Sequence, residues 1–469
     1  MSKLTASIRE AILKCGLKDG MTISFHHHLR SGDYVLNMVM EEISKLGIKD
    51  LTINASSIHD GHAPLTEHIK NGVVTSIETP YIGPRVGQCI SEGYLKKPVI
   101  FVSHGGRPSR IERGISHIDV AFIAAPTADE MGNATGKTGK SACGALGYAF
   151  VDAEYADKTI IITDNLVPYP LYERSISEQY VDYVVKVDSI GDPNGIVSGT
   201  TAMPKDPVAL KIAKYTADAI HASGLLKDGM SFQTGAGGAA LAAAGFLKEI
   251  MVREGIRGSY ALGGITGYMV EMLEAGCFQA IQDVQCFDLK AVESLRKDPR
   301  HFEITSSQYS SPTAKSSAAS SLDVVVLGAT EIDTEFNVNV HTDSNGYIIG
   351  GSGGHTDVAE EAKLVIVAAP LSRARISIVV DRVLCISTPG TSIDMLVTQY
   401  GIAVNPRRPE LREKLRKAGL PVKEIGELKK TAEHLNGIGK PLEQDRSRIV
   451  GKVLNRAEGE LDVIYAVKN

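Results

Sequence analysis

The chain has 469 residues, 43% of them hydrophobic, which allows more than one hydrophobic core and suggests about three domain-sized units. No stretch reaches the roughly 18 apolar residues of a membrane span, and the N-terminal segment lacks the apolar block of a secretory signal. Lys and Arg number 50 against 55 Asp and Glu, and this net charge of −5 argues against nucleic acid as the main partner.

Short apolar segments rich in β-branched residues recur along the chain and predict strands that are covered on both faces. In chain order these segments are Thr22–Phe25, Leu51–Asn54, Pro98–Val102, Val120–Ala124, Thr159–Thr163, Tyr183–Val187, Ser259–Leu262, Val324–Leu327, Leu364–Ala368 and Ile376–Val380. Amphipathic helices are predicted between some of them, as at Tyr34–Lys45 and Leu241–Arg253. This alternation is typical of an α/β fold with mainly parallel sheets.

Several motifs occur twice in the same order, at offsets of 204 to 209 residues, and indicate an internal duplication. The matched pairs are Leu17–Met21 with Leu226–Met230, His117–Phe122 with Ser321–Val326, and the acidic turns Asp129–Asn133 with Asp333–Asn337. We therefore predict two related open α/β domains, residues 1–205 and 206–469, the second with a C-terminal extension.

Three further features complete this organisation. From about Pro406 the chain is predicted to add helices and then a hairpin around Asn455–Glu460. The segment Ser306–Ser321 contains eight serines and is predicted to be a mobile loop over the second domain. The six cysteines are scattered without paired spacing, which predicts reduced thiols in a cytoplasmic protein.

Two glycine clusters each follow a predicted strand and precede a predicted helix. In Gly350–Gly354 the near absence of side chains lets several backbone N–H groups point at one anionic oxygen, as acyl transfer requires. Thr234–Ala240 resembles a turn for a phosphate or a pantetheine phosphate, held by Gly235, Gly237 and Gly238, although the Lys-Ser/Thr of a P-loop is missing. A tight turn in the first cluster and close helix–sheet packing in the second remain alternatives.

Three consecutive histidines, His26, His27 and His28, precede Arg30 at the end of the first predicted strand. This segment allows an anion- or substrate-binding loop, a structural turn or a metal site. A metal site is the least favoured, because a strand points neighbouring side chains to opposite faces and at most two of the three converge easily. Carboxylate or cysteine ligands in a recognised spacing are also missing from the sequence.

Six arginines lie beside predicted turns, where a guanidinium can bind a carboxylate or a phosphate through two hydrogen bonds. They are Arg107, Arg110, Arg373, Arg375, Arg407 and Arg408. Each of them can equally be a solvated surface charge. Glu331, Asp333 and Glu335 are candidates for a general base, with a solvated acidic turn as the alternative.

The chain resembles the alpha subunits of citrate lyase, which belong to the CoA-transferase superfamily. The matching segments are Gly16–Met21, Ser24–Arg30, Asp119–Asn133, Gly350–Asp357, Pro389–Thr398 and Gly401–Pro409. The resemblance covers essentially the whole chain and is most specific in the histidine segment and in the last of these segments. The two related open α/β halves of the superfamily agree with the duplication predicted above.

The resemblance implies an acyl exchange, in which an acetyl-thioester carrier and citrate give a citryl-thioester carrier and acetate. The carrier is the phosphopantetheine arm of a small acyl-carrier (gamma) subunit, for which free CoA can substitute, and no covalently bound cofactor is implied. A separate lyase (beta) subunit then cleaves the citryl thioester to oxaloacetate and regenerates the acetyl form. The expected setting is a cytoplasmic homo-oligomer within a multi-subunit complex, without nucleic acid, membrane or metal.

One position departs from the superfamily. Many CoA-transferases have, in a turn of the second half, a glutamate that becomes a covalent thioester. The best-matching turn here is Ala261–Ile265, with Leu262 at the place of the glutamate, so the resemblance implies a direct attack of a citrate carboxylate on the acetyl thioester. For this route we expect oxyanion donors at Gly353 and Gly354, and a citrate site formed by His26, His27, His28 and Arg30, with Arg373 as a weaker candidate.

Three other functions remain open at this point: a transferase for a related acid such as citramalate or a short fatty acid, a CoA-ester hydrolase of the same fold, and a non-catalytic scaffold subunit. A comparison of acceptor acids separates the first. Release of free thiol without an acceptor acid favours the second, and formation of citryl-CoA from acetyl-CoA and citrate excludes the third.

Overall fold

The computed structural model of the chain describes residues 2–197, 204–235, 238–437 and 443–468. The α-helices are α1 (Ile8–Cys15), α2 (Val35–Lys45), α3 (Leu65–Lys70), α4 (Pro84–Ser91), α5 (Gly106–Glu112), α6 (Ala149–Tyr155), α7 (Pro207–Ser223), α8 (Gly238–Glu254), α9 (Gly267–Glu274), α10 (Leu289–Lys297), α11 (Ser306–Ser310), α12 (His355–Glu361), α13 (Pro409–Lys417) and α14 (Ile425–Asn436). The strands are β1 (Leu4–Thr5), β2 (Thr22–Phe25), β3 (Leu51–Ala55), β4 (Val74–Thr79), β5 (Val99–Phe101), β6 (Val120–Ala125), β7 (Thr127–Asp129), β8 (Ala134–Thr135), β9 (Lys158–Thr163), β10 (Leu166–Val167), β11 (Tyr183–Lys186), β12 (Phe232–Thr234), β13 (Gly258–Ile265), β14 (Phe278–Cys286), β15 (His301–Glu303), β16 (Val324–Leu327), β17 (Glu331–Asp333), β18 (Val338–Asn339), β19 (Leu364–Ala368), β20 (Ser372–Arg373), β21 (Ile376–Ser377), β22 (Val379–Val380), β23 (Met395–Thr398), β24 (Gly401–Val404), β25 (Val422–Lys423), β26 (Gln444–Leu454) and β27 (Glu460–Val467).

The strands form two large sheets, with smaller ribbons beside them. Within the described residues the first large sheet has the order β1-β11-β9-β6-β2-β3-β4-β5-β26-β27 and the second the order β15-β14-β13-β12-β16-β19-β23-β24-β25. Seven strands match between them: β11-β9-β6-β2-β3-β4-β5 and β23-β19-β16-β12-β13-β14-β15 follow the same order, and all neighbours in both runs are parallel. The predicted α/β fold with an internal duplication and mainly parallel sheets is confirmed.

Matching hydrogen bonds explain why the repeated motifs keep the same residues. At the amino end of β2, Thr22 N–H donates to Asp119 Oδ2 at 2.7 Å. At the equivalent place before β12, Ser231 N–H donates to Asp323 Oδ2 at 2.8 Å. Each aspartate directly precedes the neighbouring strand, β6 or β16, so each carboxylate fixes the register of a central strand pair.

The two acidic turns are also built in the same way. Asp129 Oδ1 accepts from Asn133 N–H at 3.1 Å, and Asp333 Oδ1 accepts from Asn337 N–H at 2.9 Å. In both turns the asparagine side-chain amide donates to the other carboxylate oxygen. Asp333 therefore closes a turn but is 2% exposed, so it is not a solvated loop carboxylate, whereas Glu335 is exposed. Glu331 is also buried and accepts from Asn339 Nδ2 at 3.1 Å, and a general base among the three stays a prediction.

The C-terminal hairpin departs from the duplication. Its two strands, β26 and β27, are antiparallel, as predicted around Asn455–Glu460. β26 pairs in parallel with β5, with Gly451 opposite Val99, so the hairpin extends the first sheet. The domain boundary between residues 205 and 206 stays a prediction. By its strand pairing, however, the C-terminal hairpin belongs to the first half, although it comes last in the sequence.

Two sequence predictions need correction. Ile376–Val380 is not a strand of a large sheet; it forms β21 and β22, which belong to separate small ribbons. The segment Ser306–Ser321 is not simply a mobile loop, since it contains α11, and Ser306, Ser310 and Ser311 are buried.

The cysteines are all unpaired. Among the described residues, none of the helices combines the length and the apolar character needed to cross a bilayer.

Candidate active site

Loops from the two halves meet at the carboxyl ends of the parallel strands, the usual place for ligands in open α/β sheets. Gln285, near the end of β14, donates through Nε2 to the carbonyl of His27, two residues after β2 (2.8 Å). Gly353 N–H donates to the carbonyl of Pro80, directly after β4 (3.2 Å). The predicted histidine loop and the predicted glycine cluster therefore lie together on the boundary between the two halves.

The three histidines are buried and their rings are in contact. His26, His27 and His28 are 5%, 4% and 0% exposed. The ring centroids of His26 and His28 are 4.3 Å apart, and the His27 ring lies 4.8 Å from that of Tyr148 and 5.6 Å from that of His104. The rings of His26 and His28, two positions apart, meet most closely, whereas the His27 ring lies 6.1 Å from that of His28, which agrees with the expectation that two of the three converge easily.

Burial makes these imidazoles neutral. It lowers the pKa of His26 to about 4 and that of His104 to about 3. The pKa values of His27, His28 and His59 also lie well below the ordinary value, with burial as the main cause. At pH 7 the cluster thus offers ring N–H donors and nitrogen acceptors rather than positive charges, and His104 Nδ1 is buried with no hydrogen-bond partner among the described residues.

Arg30 supplies the positive charge of the site. Its backbone has φ +50°, and its guanidinium carbon lies 4.5 Å from the centroid of the Phe287 ring, which belongs to the second half. Nη1 is shielded from solvent and has no hydrogen-bond partner, and Arg30 makes no ion pair with a carboxylate, within the described parts of the chain. Burial lowers the pKa of Arg30, while Tyr81 and Tyr148 act in the opposite direction. Arg30 as a whole is half-buried, and its one shielded, unpaired nitrogen marks the place where an anionic ligand is stabilising.

The glycine cluster lies against His104 and Tyr309. The backbone N–H of His104 donates to the carbonyl of Gly353 at 2.8 Å. A Cβ on Gly353, whose φ is +51°, would lie 3.2 Å from Nε2 of the His104 ring. A Cβ on Gly354 would lie 2.4 Å from the hydroxyl oxygen of Tyr309. Because Gly353 N–H is already bonded to Pro80, the geometry favours Gly354 N–H over Gly353 N–H as an oxyanion donor; both assignments remain predictions.

The second glycine cluster has open space around it. Gly235, directly after β12, donates its N–H to the carbonyl of Val326 at 2.8 Å, and Gly238 begins α8. Among the described residues, the atom nearest to a Cβ on Gly235 would be the Val326 carbonyl oxygen at 3.6 Å, and the atom nearest to one on Gly238 would belong to Pro204 at 3.8 Å. At these two positions the described neighbours leave room for a Cβ, so close packing does not require glycine. A bound phosphate remains the prediction, but since Gly235 N–H is already bonded to Val326, other N–H groups of this segment would have to bind it. Gly237 lies outside the described residues.

The other candidate arginines lie elsewhere. Arg373 is exposed in the small ribbon of β20 and β21, where the adjacent Ser372 donates to Asn436 Oδ1 of α14 (2.8 Å). No described contact connects Arg373 with the histidines, so the structure does not support its assignment to the citrate site. Arg107 is fully buried and pairs with Asp152 at 2.7 Å, which makes it a part of the core beneath the site.

Sequence reasoning missed several groups that belong to this region. Tyr309 is 2% exposed. Its hydroxyl oxygen lies beside Gly354 and accepts a hydrogen bond from Gln233 Nε2 at 2.9 Å. Leu262 is 1% exposed and packs in one apolar cluster with Tyr148 and Tyr309. It lies within β13, with an irregularity between residues 263 and 264, where a turn was expected. Isolated tyrosines and glutamines follow no sequence pattern that singles them out.

Comparison with known proteins identifies the family of the chain. The family model of the citrate lyase alpha subunit (CitF) matches residues 1–467. The chain is 48% identical to the citrate lyase alpha chain of Haemophilus influenzae, over 100% of this chain and 93% of the relative. With that of Escherichia coli it shares 49% identity, over 99% and 91%. The crystal structure of a citrate lyase alpha subunit in complex with citrate, from Streptococcus mutans, has a TM-score of 0.98 at 50% identity and covers 100% of this chain and 92% of that one. The chain belongs to the citrate lyase alpha subunit family.

Proposed function

We propose that this chain exchanges acetate for citrate on a thioester carrier, so that acetyl carrier and citrate give citryl carrier and acetate. Family membership supports the reaction, and the related Streptococcus mutans protein forms a complex with citrate. The natural carrier in this proposal is the phosphopantetheine arm of an acyl-carrier gamma subunit, with free CoA as a substitute. A beta lyase subunit then cleaves the citryl thioester, within a cytoplasmic complex in which this chain is a homo-oligomer.

The unpaired guanidinium of Arg30 is the single observation that carries the assignment of the acid site. Citrate is a trianion near neutral pH, and a shielded cation that no described carboxylate neutralises favours such a ligand strongly. The neighbouring imidazoles of His26, His27 and His28 are neutral before binding. A carboxylate placed against them raises their pKa values, so they either donate neutral N–H bonds or become protonated when citrate binds.

The proposed chemistry is a direct exchange. A citrate carboxylate oxygen attacks the acetyl thioester carbonyl, the C–S bond breaks, and the thiolate leaves with its electron pair. The thiolate then attacks the citryl carbonyl of the mixed anhydride and expels acetate. Leu262 gives the site no nucleophile at the place of the superfamily's glutamate, and its side chain is buried in the apolar cluster that also contains Tyr148 and Tyr309.

The protein contributes positioning, oxyanion donors and exclusion of water. Holding citrate and the acetyl thioester in one site can lower the barrier by about 7–11 kcal/mol. A preorganised donor such as Gly354 N–H contributes about 3–4 kcal/mol to the tetrahedral intermediates. The burial of the histidine loop and of the tyrosines around it protects an anhydride from hydrolysis. The open turn at Gly235 and Gly238 is the proposed place for the pantetheine phosphate.

A single-turnover experiment with citrate labelled by ¹⁸O in its carboxylates tests both the activity and the route. The purified chain is mixed with a limiting amount of acetyl-CoA, and the products are analysed by mass spectrometry. Direct exchange places one ¹⁸O atom in the acetate of the first turnover, because the bridging oxygen of the anhydride comes from citrate. A covalent carboxylate route yields unlabelled acetate in that turnover. Absence of citryl-CoA contradicts the proposed function, and release of thiol without citrate identifies a hydrolase.

A further inference from the structure

The turn of the C-terminal hairpin inserts one arginine between the two halves. Arg456 follows β26 and is 8% exposed. Its Nε lies 3.2 Å from Asp357 Oδ1, its Nη1 lies 2.6 Å from Glu361 Oε1, and its Nη2 donates to the carbonyl of Ser310 at 3.0 Å. All three partners belong to the second half, whereas β26 extends the sheet of the first half.

Asp357 connects this arginine with the glycine cluster and with His104. It lies in the first turn of α12, three residues after Gly354, and it is fully buried. Its carboxylate accepts from Ser103 Oγ at 2.6 Å and from Gly105 N–H at 2.9 Å. These two donors flank His104, whose own N–H is bonded to Gly353. The position of the His104 loop therefore depends on the Asp357 carboxyl group, which is the stronger acceptor when it is ionised.

The third contact of Arg456 reaches the segment that holds Tyr309. Ser310 ends α11 directly after Tyr309, and its carbonyl is the acceptor for Nη2. The approach to the His104 loop is close, since a Cβ on Gly105 would lie 2.1 Å from that carbonyl oxygen. One guanidinium thus contacts α12 and α11 directly and the His104 loop through Asp357.

We propose that Arg456 is a positioning residue of the transferase site, which keeps Asp357 ionised and so holds the His104 loop, Gly354 and Tyr309 in one arrangement. The proposal rests on the function proposed above. It gives the hairpin a role in the chemistry that the superfamily resemblance does not assign.

The charges around Asp357 determine how the pH dependence of the activity would change if Arg456 were removed. Burial raises the pKa of Asp357 to about 6, and Arg456 is the cation that opposes this rise. The facing groups are Arg456 from the hairpin, Ser103 and Gly105 from the first half, Tyr309 from α11, and Glu360 and Glu361 on its own helix. Without Arg456 only the repulsive carboxylates remain as charges nearby. A further rise of about two units, within the usual effect of an adjacent arginine, would lower the ionised fraction at pH 7 about tenfold.

The test compares Arg456→Met, Arg456→Lys and the control Arg113→Met in the full-length chain, with acetyl-CoA and citrate between pH 6 and pH 9. Arg113 contacts the same turn through Glu458 at 3.4 Å, but its side chain is 48% exposed and lies outside the site. We expect Arg456→Met to lose about tenfold in kcat at pH 7, to recover towards pH 9, and to keep the wild-type KM for citrate. Arg456→Lys should retain most of the activity, and the control should match the wild type.

Asp357→Asn provides a second, independent reading. It should remove the acid limb of the pH profile, and adding Arg456→Met to it should then cause no further pH dependence. A loss in Arg456→Met that is equal at every pH, or a wild-type profile in a folded Arg456→Met, overturns the proposal. If Arg456→Met does not fold, a wild-type acid limb in both Arg456→Lys and Asp357→Asn overturns it as well. Absence of any transfer by the wild type contradicts the proposed function instead.

Discussion

Replacing Arg30 with methionine removes the unpaired guanidinium and keeps a long apolar side chain over the Phe287 ring. Removing one partner of a buried charge pair costs about 3–5 kcal/mol. At 1.4 kcal/mol for each factor of ten, citrate should bind roughly 100- to 4000-fold more weakly, with little change in the KM for acetyl-CoA. The unliganded protein should respond in the opposite direction, since a shielded charge without a partner is itself destabilising. We therefore expect Arg30→Met to have a Tm without citrate at least as high as the wild type, and to lose the rise in Tm that citrate causes.

The assay combines steady-state kinetics at saturating acetyl-CoA with thermal unfolding in the presence and absence of citrate. Arg375→Met is a matched control, because Arg375 is an exposed arginine that also has a left-handed backbone, with φ +65° against +50° for Arg30. It should leave the KM for citrate and the citrate-dependent rise in Tm unchanged. An unchanged KM for citrate in Arg30→Met, or a lower Tm without citrate, would refute the reasoning, because Arg30 would then be structural and the anion would bind elsewhere.

Two further predictions concern the imidazoles and the glycine cluster. The buried histidines have lowered pKa values and are neutral at pH 8. Because a bound anion raises these pKa values, citrate binding at pH 8 should take up protons. Calorimetry in two buffers of different ionisation enthalpy measures this uptake, and zero uptake would mean that the rings stay neutral donors. Gly354→Ala should lower kcat by about 100-fold, because its methyl group would displace the Tyr309 hydroxyl and the donor beside it, and adding Tyr309→Phe should recover part of the loss. Gly426→Ala, where a Cβ meets no atom within 4 Å, is the control, and equal kcat values in the two alanine variants would move the oxyanion donor away from Gly354.

The fold could be predicted from the sequence wherever the physical constraint is local. The Leu-Lys-Asp-Gly-Met motif is repeated because its aspartate makes an equivalent hydrogen bond in each half. Asp19 accepts from Lys49 N–H and Asp228 accepts from Arg257 N–H, both at 2.8 Å. Strands that are apolar throughout were found for a similar reason, since both of their faces are covered. Phe278–Cys286 does not stand out in the sequence because four of its nine residues are polar, and a parallel strand at the meeting of two halves need not be apolar along its whole length.

The site was predictable only in part, because its chemistry depends on distant partners. A run of three histidines is conspicuous in any sequence, but Arg30 and Arg107 look alike in it. The structure separates them: Arg107 is neutralised by Asp152, 45 positions later, whereas Arg30 has no such partner in the described residues. The same limit applies to Tyr309, which reaches Gly354 only through the packing of α11 between the halves.

The duplication also suggests why one ancestral turn could serve two ligands with different needs. The first half continues from β2 into the side chains His26 to Arg30, which offer one cation and several ring nitrogens. The equivalent strand of the second half, β12, continues into Gly235 and Gly238, where side chains are nearly absent and the space is open. A multiply charged acid requires fixed side chains around it, whereas the phosphate of a long flexible arm is best met by backbone N–H groups. If each half binds one reactant in this way, the carboxylate and the thioester come together at the boundary, and a nucleophile at Leu262 is not required for the exchange.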